Sequence, residues 1–153
     1  MSEALQDRFA PQNRCFGCGP ANERGLRIKS HVQGDTVVAD FTPEPHHLAF
    51  DGMVNGGIIG TLLDCHSNWT AAHALMIARG LDTPPCTVTA EFHVKLLGVT
   101  PLGPPLHLVA RASKVGNSSV VVDAELSAEG TVTATCRGVF VAVKPGHPAY
   151  HRW

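Results

Sequence analysis

Asn55-Gly56-Gly57-Ile58-Ile59-Gly60-Thr61-Leu62-Leu63-Asp64-Cys65 opens the one long helical pattern in this chain of 153 residues. Ile58, Leu62, Cys65, Trp69, Ala72 and Met76 step by four and three, which lays an apolar stripe along one helix face. Asn55 is a favoured N-cap residue and Gly80 a favoured C-terminal stop, so the spacing predicts a helix over 55–79. At a rise of about 1.5 Å per residue it would run roughly 36 Å. That is long for a chain of this size and suits a helix that other elements wrap around.

The segments on either side read as β-structure. Leu26 to Val32 alternates apolar and polar, Gly34-Asp35 is hairpin chemistry, and Thr36 to Phe41 is the partner strand. Pro43 and Pro45 end it, because proline cannot donate to a ladder. Residues 44–53 form a loop. After the helix, 87–97, 106–115, 119–128 and 132–143 are β-branched and alternating, with Gly116-Asn117-Ser118 and Glu129-Gly130 placed as turns. The predicted order is strand, strand, long helix, then four strands in an antiparallel meander. This is an α+β fold whose sheet is covered by the helix. Residues 1–24 read as an irregular N-terminal segment with one helical turn near Ala4 to Phe9, 25–144 as the domain, and 145–153 as a tail that is loose unless it docks on a partner.

Composition narrows the class. Hydrophobic residues are 44% and charged residues 16%, enough for a real core. Twelve Lys and Arg against thirteen Asp and Glu give a net charge of -1, which argues against nucleic-acid binding by broad electrostatics. No apolar run approaches the roughly 20 residues that cross a bilayer. The first eight residues lack the basic start and apolar run of a signal peptide. The five cysteines cannot all pair within one chain, and together these features point to a reducing, cytoplasmic setting.

Two adjacent glycines at a helix start weaken it by roughly 1 kcal/mol each relative to Ala. Their use is access: bare N–H groups of the first turn, at the positive end of the helix dipole, can meet a carbonyl oxygen as an oxyanion hole does. Asp64 lies two turns on, flanked by Leu62, Leu63 and Cys65, at the border of the apolar stripe. It could act as base or nucleophile on a carbonyl held by the Gly56 N–H. Close packing and a solvated edge carboxylate would produce the same spacing.

This stretch resembles the signature of hot-dog-fold acyl-CoA thioesterases, in particular the phenylacetate-degradation (PaaI-like) group. That signature is a loop, then His-Gly-Gly, then an apolar helix with Asp seven residues after the second Gly. Gly57 plus seven is Asp64, the loop 47–54 precedes it, and the element order agrees, so the resemblance covers about residues 15–143. It implies a hot-dog fold, a sheet wrapped around one long helix, and hydrolysis of an acyl-CoA thioester without metal or organic cofactor. It further implies a homodimer or homotetramer with the site at the subunit interface. Gly56 would donate to the thioester carbonyl and Asp64 would attack it or activate water. Thr89, on the strand after the helix and contributed by the neighbouring subunit, would position the water or the carboxylate. Asn55, Gly57 and His47 would border the substrate. Asn55 stands where the family carries His, so that position can cap and orient but not titrate near neutral pH. Ala49 is a second departure, in a loop where relatives sometimes carry a polar residue. A non-catalytic acyl-CoA binding protein and a hydratase or dehydratase on the same fold are the rival readings.

Other candidates are weaker. Cys15-Phe16-Gly17-Cys18 invites a zinc reading, but zinc takes four ligands and no second close pair exists. Cys65, Cys86 and Cys136 read as small buried hydrophobes, so no metal is assigned and the Cys-x-x-Cys-Gly stretch is read as structural. His46 and His47 point apart in an extended loop, and His66 and His73 are seven residues apart, too far for one ion. Asn68, one turn after Asp64, is placed to hydrogen-bond it. Of Lys95, Arg111 and Lys114, Lys114 is best placed for coenzyme A phosphates, since the following hairpin adds backbone donors.

Overall fold

The computed structural model describes residues 2–153. The chain runs through α1 (Leu5–Phe9), β1 (His31–Gln33), β2 (Thr36–Phe41) and a 3-10 turn (Pro45–His47). A two-stranded ribbon of β3 (Leu48–Phe50) and β4 (Met53–Val54) leads into α2 (Gly56–Arg79). Then come β5 (Thr87–Leu96), β6 (Leu106–Val115), β7 (Ser119–Ala128) and β8 (Thr131–Ala142). α2 starts and stops where its sequence says. Asn55 Oδ1 accepts from the N–H groups of Gly57 and Ile58 at 2.8 and 3.2 Å. Gly80 takes the left-handed conformation, φ 64°, that closes a helix.

Six strands form one antiparallel sheet in the order β1-β2-β6-β7-β8-β5. Its inner face is built in cross-strand rows. Val37, Ala110, Ala124, Cys136 and Val94 make one row, and Ala39, Leu108, Leu126, Ala134 and Leu96 the next. The small side chains in the middle of the first row, Ala110, Ala124 and Cys136, leave room for α2, whose Leu62, Leu63, Trp69, Ala71 and Leu75 are fully buried against the sheet. The outer face is polar, with Arg137 holding Asp123 through two hydrogen bonds of 2.7 and 2.9 Å. The antiparallel sheet wrapped on one long helix is the hot-dog fold. Among the described residues no helix is long and apolar enough to cross a membrane.

Three expectations need correction. First, the four late strands are not one meander: β6, β7 and β8 are, but β5 pairs with β8 at the sheet edge. Hairpin chemistry reports only neighbours joined by short turns, and the 96–106 link is not one. Second, residues 26–30 are not a strand. Arg27 adopts φ 52°, and the N–H groups of Leu26 and Ile28 bond to the carbonyls of Phe16 and Gly17. Leu26 and Ile28 are buried by this kink instead of by a ladder. Third, the tail docks on its own chain. The Trp153 ring lies 4.5 Å from the Trp69 ring, and its indole N–H donates to Pro84 O at 3.2 Å.

β5 carries an irregularity between Thr89 and Glu91: Thr89 pairs with Phe140, but Glu91 pairs with Val139. Ala90 is therefore an extra residue, and it reverses the alternation of faces. Thr87 and Thr89 face α2 before the bulge, and Val94 and Leu96 face it afterwards.

Candidate active site

The N–H groups of the first turn of α2 are divided between cap and solvent. Asn55 Oδ1 takes Gly57 and Ile58, and Asn55 O takes Ile59 at 3.1 Å. Among the described residues none accepts from Gly56 N–H. The Gly57 amide, expected to border substrate, is thus committed to the cap. Its missing side chain serves the same purpose, because a Cβ there would lie 2.9 Å from Asn55 Oδ1. Gly56 differs: a Cβ would meet only Leu96 Cδ1 at 3.4 Å, an ordinary contact. Among the described residues no packing contact requires glycine at 56, and what it leaves uncovered is one unengaged donor at the positive end of a 24-residue helix.

Two turns on, Asp64 Oδ1 accepts a hydrogen bond of 2.6 Å from Thr89 Oγ1. One helical turn further, Asn68 Oδ1 accepts from Thr87 Oγ1 at 2.7 Å, and its amide donates to Thr87 O at 3.3 Å. The two pairs match because four helical residues advance about 6.0 Å and two strand residues about 6.6 Å. Asn68 therefore does not bond Asp64, as expected from helical spacing. It fixes the height of β5 on α2, and Thr89 is delivered to Asp64 as a result. Thr89 reaches Asp64 within one chain, which corrects the expectation that it comes from the neighbouring subunit. Asp64 is half-buried. Its pKa is raised: burial and, more weakly, the nearby Cys15 outweigh the Thr89 hydrogen bond and the charge of Arg152, which lower it.

Gly56 and Asp64 cannot meet on one carbonyl within a chain. They are eight positions apart on an unbroken helix, which is about 12 Å along the axis. A site that uses both takes them from two copies. The exposed apolar side chains of Phe92, Leu97 and Val99 lie along and just beyond edge strand β5.

His47 is buried at the base of the loop before α2. Its Nδ1 accepts from Glu44 N–H at 3.0 Å, its carbonyl accepts from Asn55 N–H at 2.8 Å, and burial lowers its pKa. It shapes the helix start. A groove of about 630 Å³ opens beside it, lined by Phe16, Arg24, Arg27, His46 and Ile58 among others. Arg24 and Arg27 are exposed there, and the sequence reading missed them because a kink, not a period, turns them to one place. Lys114 is exposed on the hairpin that meets the other end of α2, where Arg79 donates to Asn117 O at 2.7 Å. Cys65 was also missed: Cys15 and Cys18 lie against it although distant in sequence, the Cys15 and Cys65 sulfurs 3.8 Å apart.

Comparison with known proteins gives the same architecture. A thioesterase superfamily protein from Shewanella loihica PV-4 is 34% identical, covering 82% of this chain and 98% of that one with a TM-score of 0.67. The PaaI protein of the E. coli phenylacetic acid degradation operon is 17% identical over 78% of this chain and 81% of its own, TM-score 0.66, and shares the fold. A Streptococcus mutans UA159 protein whose structure holds acetyl-CoA is 20% identical over 76% of this chain and 88% of its own, TM-score 0.63. No curated protein matches the chain. Residues 51–135, which run from the loop before Gly56 through Asp64 and Thr89 to β8, match the Thioesterase superfamily, and to that family the chain belongs.

Proposed function

We propose that the protein hydrolyses acyl-CoA thioesters, at sites each made by two copies of the chain. The observation that carries this is the half-buried Asp64 carboxylate held by Thr89 at 2.6 Å, on a helix whose first amide, at Gly56, is unengaged. One copy supplies Gly56 N–H to the thioester oxygen and the other supplies Asp64 and Thr89. A water attacks the carbonyl carbon and passes its proton to Asp64. The tetrahedral oxyanion rests on Gly56 N–H and the helix dipole. The carbon–sulfur bond then breaks, and the coenzyme A thiolate takes the proton back from Asp64. Thr89 holds the carboxylate in line. Asn55 and His47 shape the loop that the acyl chain passes. Arg24 and Arg27, which line the groove beside the helix start, would meet coenzyme A phosphates there. The acetyl-CoA on the Streptococcus neighbour supports this ligand class.

The test is a panel of aryl and aliphatic acyl-CoA esters with release of free thiol as readout. Wild type should turn over at least one class. Asp64→Asn should bind the same ester and lose about 10²–10⁴-fold in kcat. Binding without thiol release by wild type would mark a carrier, and full activity in Asp64→Asn would remove this residue from the reaction. In single turnover in ¹⁸O-water, label in the Asp64 side chain would mark it as nucleophile, through a mixed anhydride opened at its own carbonyl.

A further inference from the structure

We propose that Cys15, Cys18 and Cys65 form a three-thiolate site for a soft divalent metal ion, zinc(II) by its chemistry, which fastens the N-terminal loop to the middle of α2. The three sulfurs lie within 4.8 Å of one another, and the Cys15 and Cys65 sulfurs are 3.8 Å apart. In a tetrahedral zinc site with Zn–S near 2.3 Å, neighbouring sulfurs are about 1.63 times that distance apart, roughly 3.8 Å. A disulfide would need about 2.05 Å and would leave the third thiol without a role.

Hydrogen-bond donors surround the cluster. The backbone N–H groups of Gly17 and Cys18 face the Cys15 sulfur, and Asn13 Nδ2 approaches the Cys18 sulfur at 3.9 Å. The fully buried Trp69 directs its indole N–H towards Cys18 without reaching an acceptor at hydrogen-bond length. A buried donor left unmade is costly, and a thiolate sulfur is a far stronger acceptor than a thiol. The loop has been cut to fit. A Cβ on Gly17 would lie 2.3 Å from Cys65 Sγ, and one on Gly19 would lie 2.4 Å from Asn13 O. Cys18 and Cys65 are buried, so the ion would sit largely out of water. Binding exchanges three S–H bonds for three metal–sulfur bonds and releases the three protons to solvent, and the fourth tetrahedral position falls to a non-thiol donor. Cys86 and Cys136 lie outside the cluster.

The full chain, reduced and free of chelator, is titrated anaerobically with Co(II) and then with Zn(II). One Co(II) per chain should give an intense sulfur-to-metal charge-transfer band in the near ultraviolet, and Zn(II) should displace it. Cys15→Ser, Cys18→Ser and Cys65→Ser should each weaken metal binding at least a hundredfold, while Cys86→Ser and Cys136→Ala keep it. Absence of the band on wild type overturns the proposal whatever the variants do. So does a band of unchanged strength in folded Cys65→Ser, or reduced protein that forms a Cys15–Cys65 disulfide in air with zinc present. None of these readouts depends on thioester hydrolysis.

Discussion

Gly56 and Gly57 look alike in sequence and do different work. The amide of Gly57 and the space where its side chain would be both belong to Asn55, whereas Gly56 offers an amide that no group among the described residues uses. Gly56→Ala should therefore fold at least as well as wild type, with up to about 1 kcal/mol gained from helix propensity. It should lower kcat by up to about 10²-fold, because the new methyl pushes the thioester oxygen off its donor. Thermal melts and steady-state kinetics on the same preparation test both halves. His66 makes a different residue-level case. It is fully buried, with Nε2 at 2.9 Å from Val37 O and Nδ1 at 2.8 Å from Ser30 Oγ, which in turn accepts from Gln6 Nε2 at 2.9 Å. A neutral ring with hydrogen on Nε2 satisfies every partner, and burial depresses its pKa from 6.5 to about 4. The folded state thus resists protonation that the unfolded chain accepts. Stability from this group is full above pH 6.5 and falls as pH drops towards 4, by on the order of 3 kcal/mol. Urea denaturation at a series of pH values should show that slope in wild type and a shallower one in His66→Gln.

At the scale of elements, the helix–strand pairing through Asn68 and Thr87 sets where Thr89 stands. Asn68→Ala removes both side-chain hydrogen bonds to Thr87 and should destabilise the fold by about 1–3 kcal/mol. The folded fraction should also lose activity as Thr89 drifts from Asp64, so kcat per folded molecule is the measurement that separates the two effects. What could be read from sequence follows the range of the forces involved. α2 was legible almost to the residue, since its stripe, cap and stop are local. The three strands of the β6–β7–β8 meander were legible for the same reason. The 26–30 kink was not, because Leu26 and Ile28 bury themselves on a left-handed Arg27 as well as they would in a strand. The β5–β8 pairing and the approach of Cys65 to Cys15 and Cys18 are contacts between distant parts of the chain that no spacing rule encodes. Asp64 and Gly56 stand out in the sequence because helix position and residue type carry the chemistry proposed for them. The partner of Asn68 was misjudged because a helix neighbour is only one of the groups a buried amide can reach.

For the whole molecule, the proposed site, with Gly56 and Asp64 roughly 12 Å apart along α2, calls for two copies of the chain. If each site takes Gly56 from one copy and Asp64 from another, Asp64→Asn and Gly56→Ala chains are each impaired alone but complementary when mixed. In a mixed dimer one site holds both defects and the other holds neither, so random association at equal ratio should restore about a quarter of wild-type activity. No recovery after verified subunit exchange would mean that each site is built within one chain. The extra residue at Ala90 has its own consequence for such an assembly. It works as a parity switch: two threonines upstream and two apolar side chains downstream can address the same helix only because the strand miscounts once. Swapping Ala90 for another small residue would leave the count intact, whereas deleting it would turn one half of the strand inside out, so this edge can drift in composition but not in length.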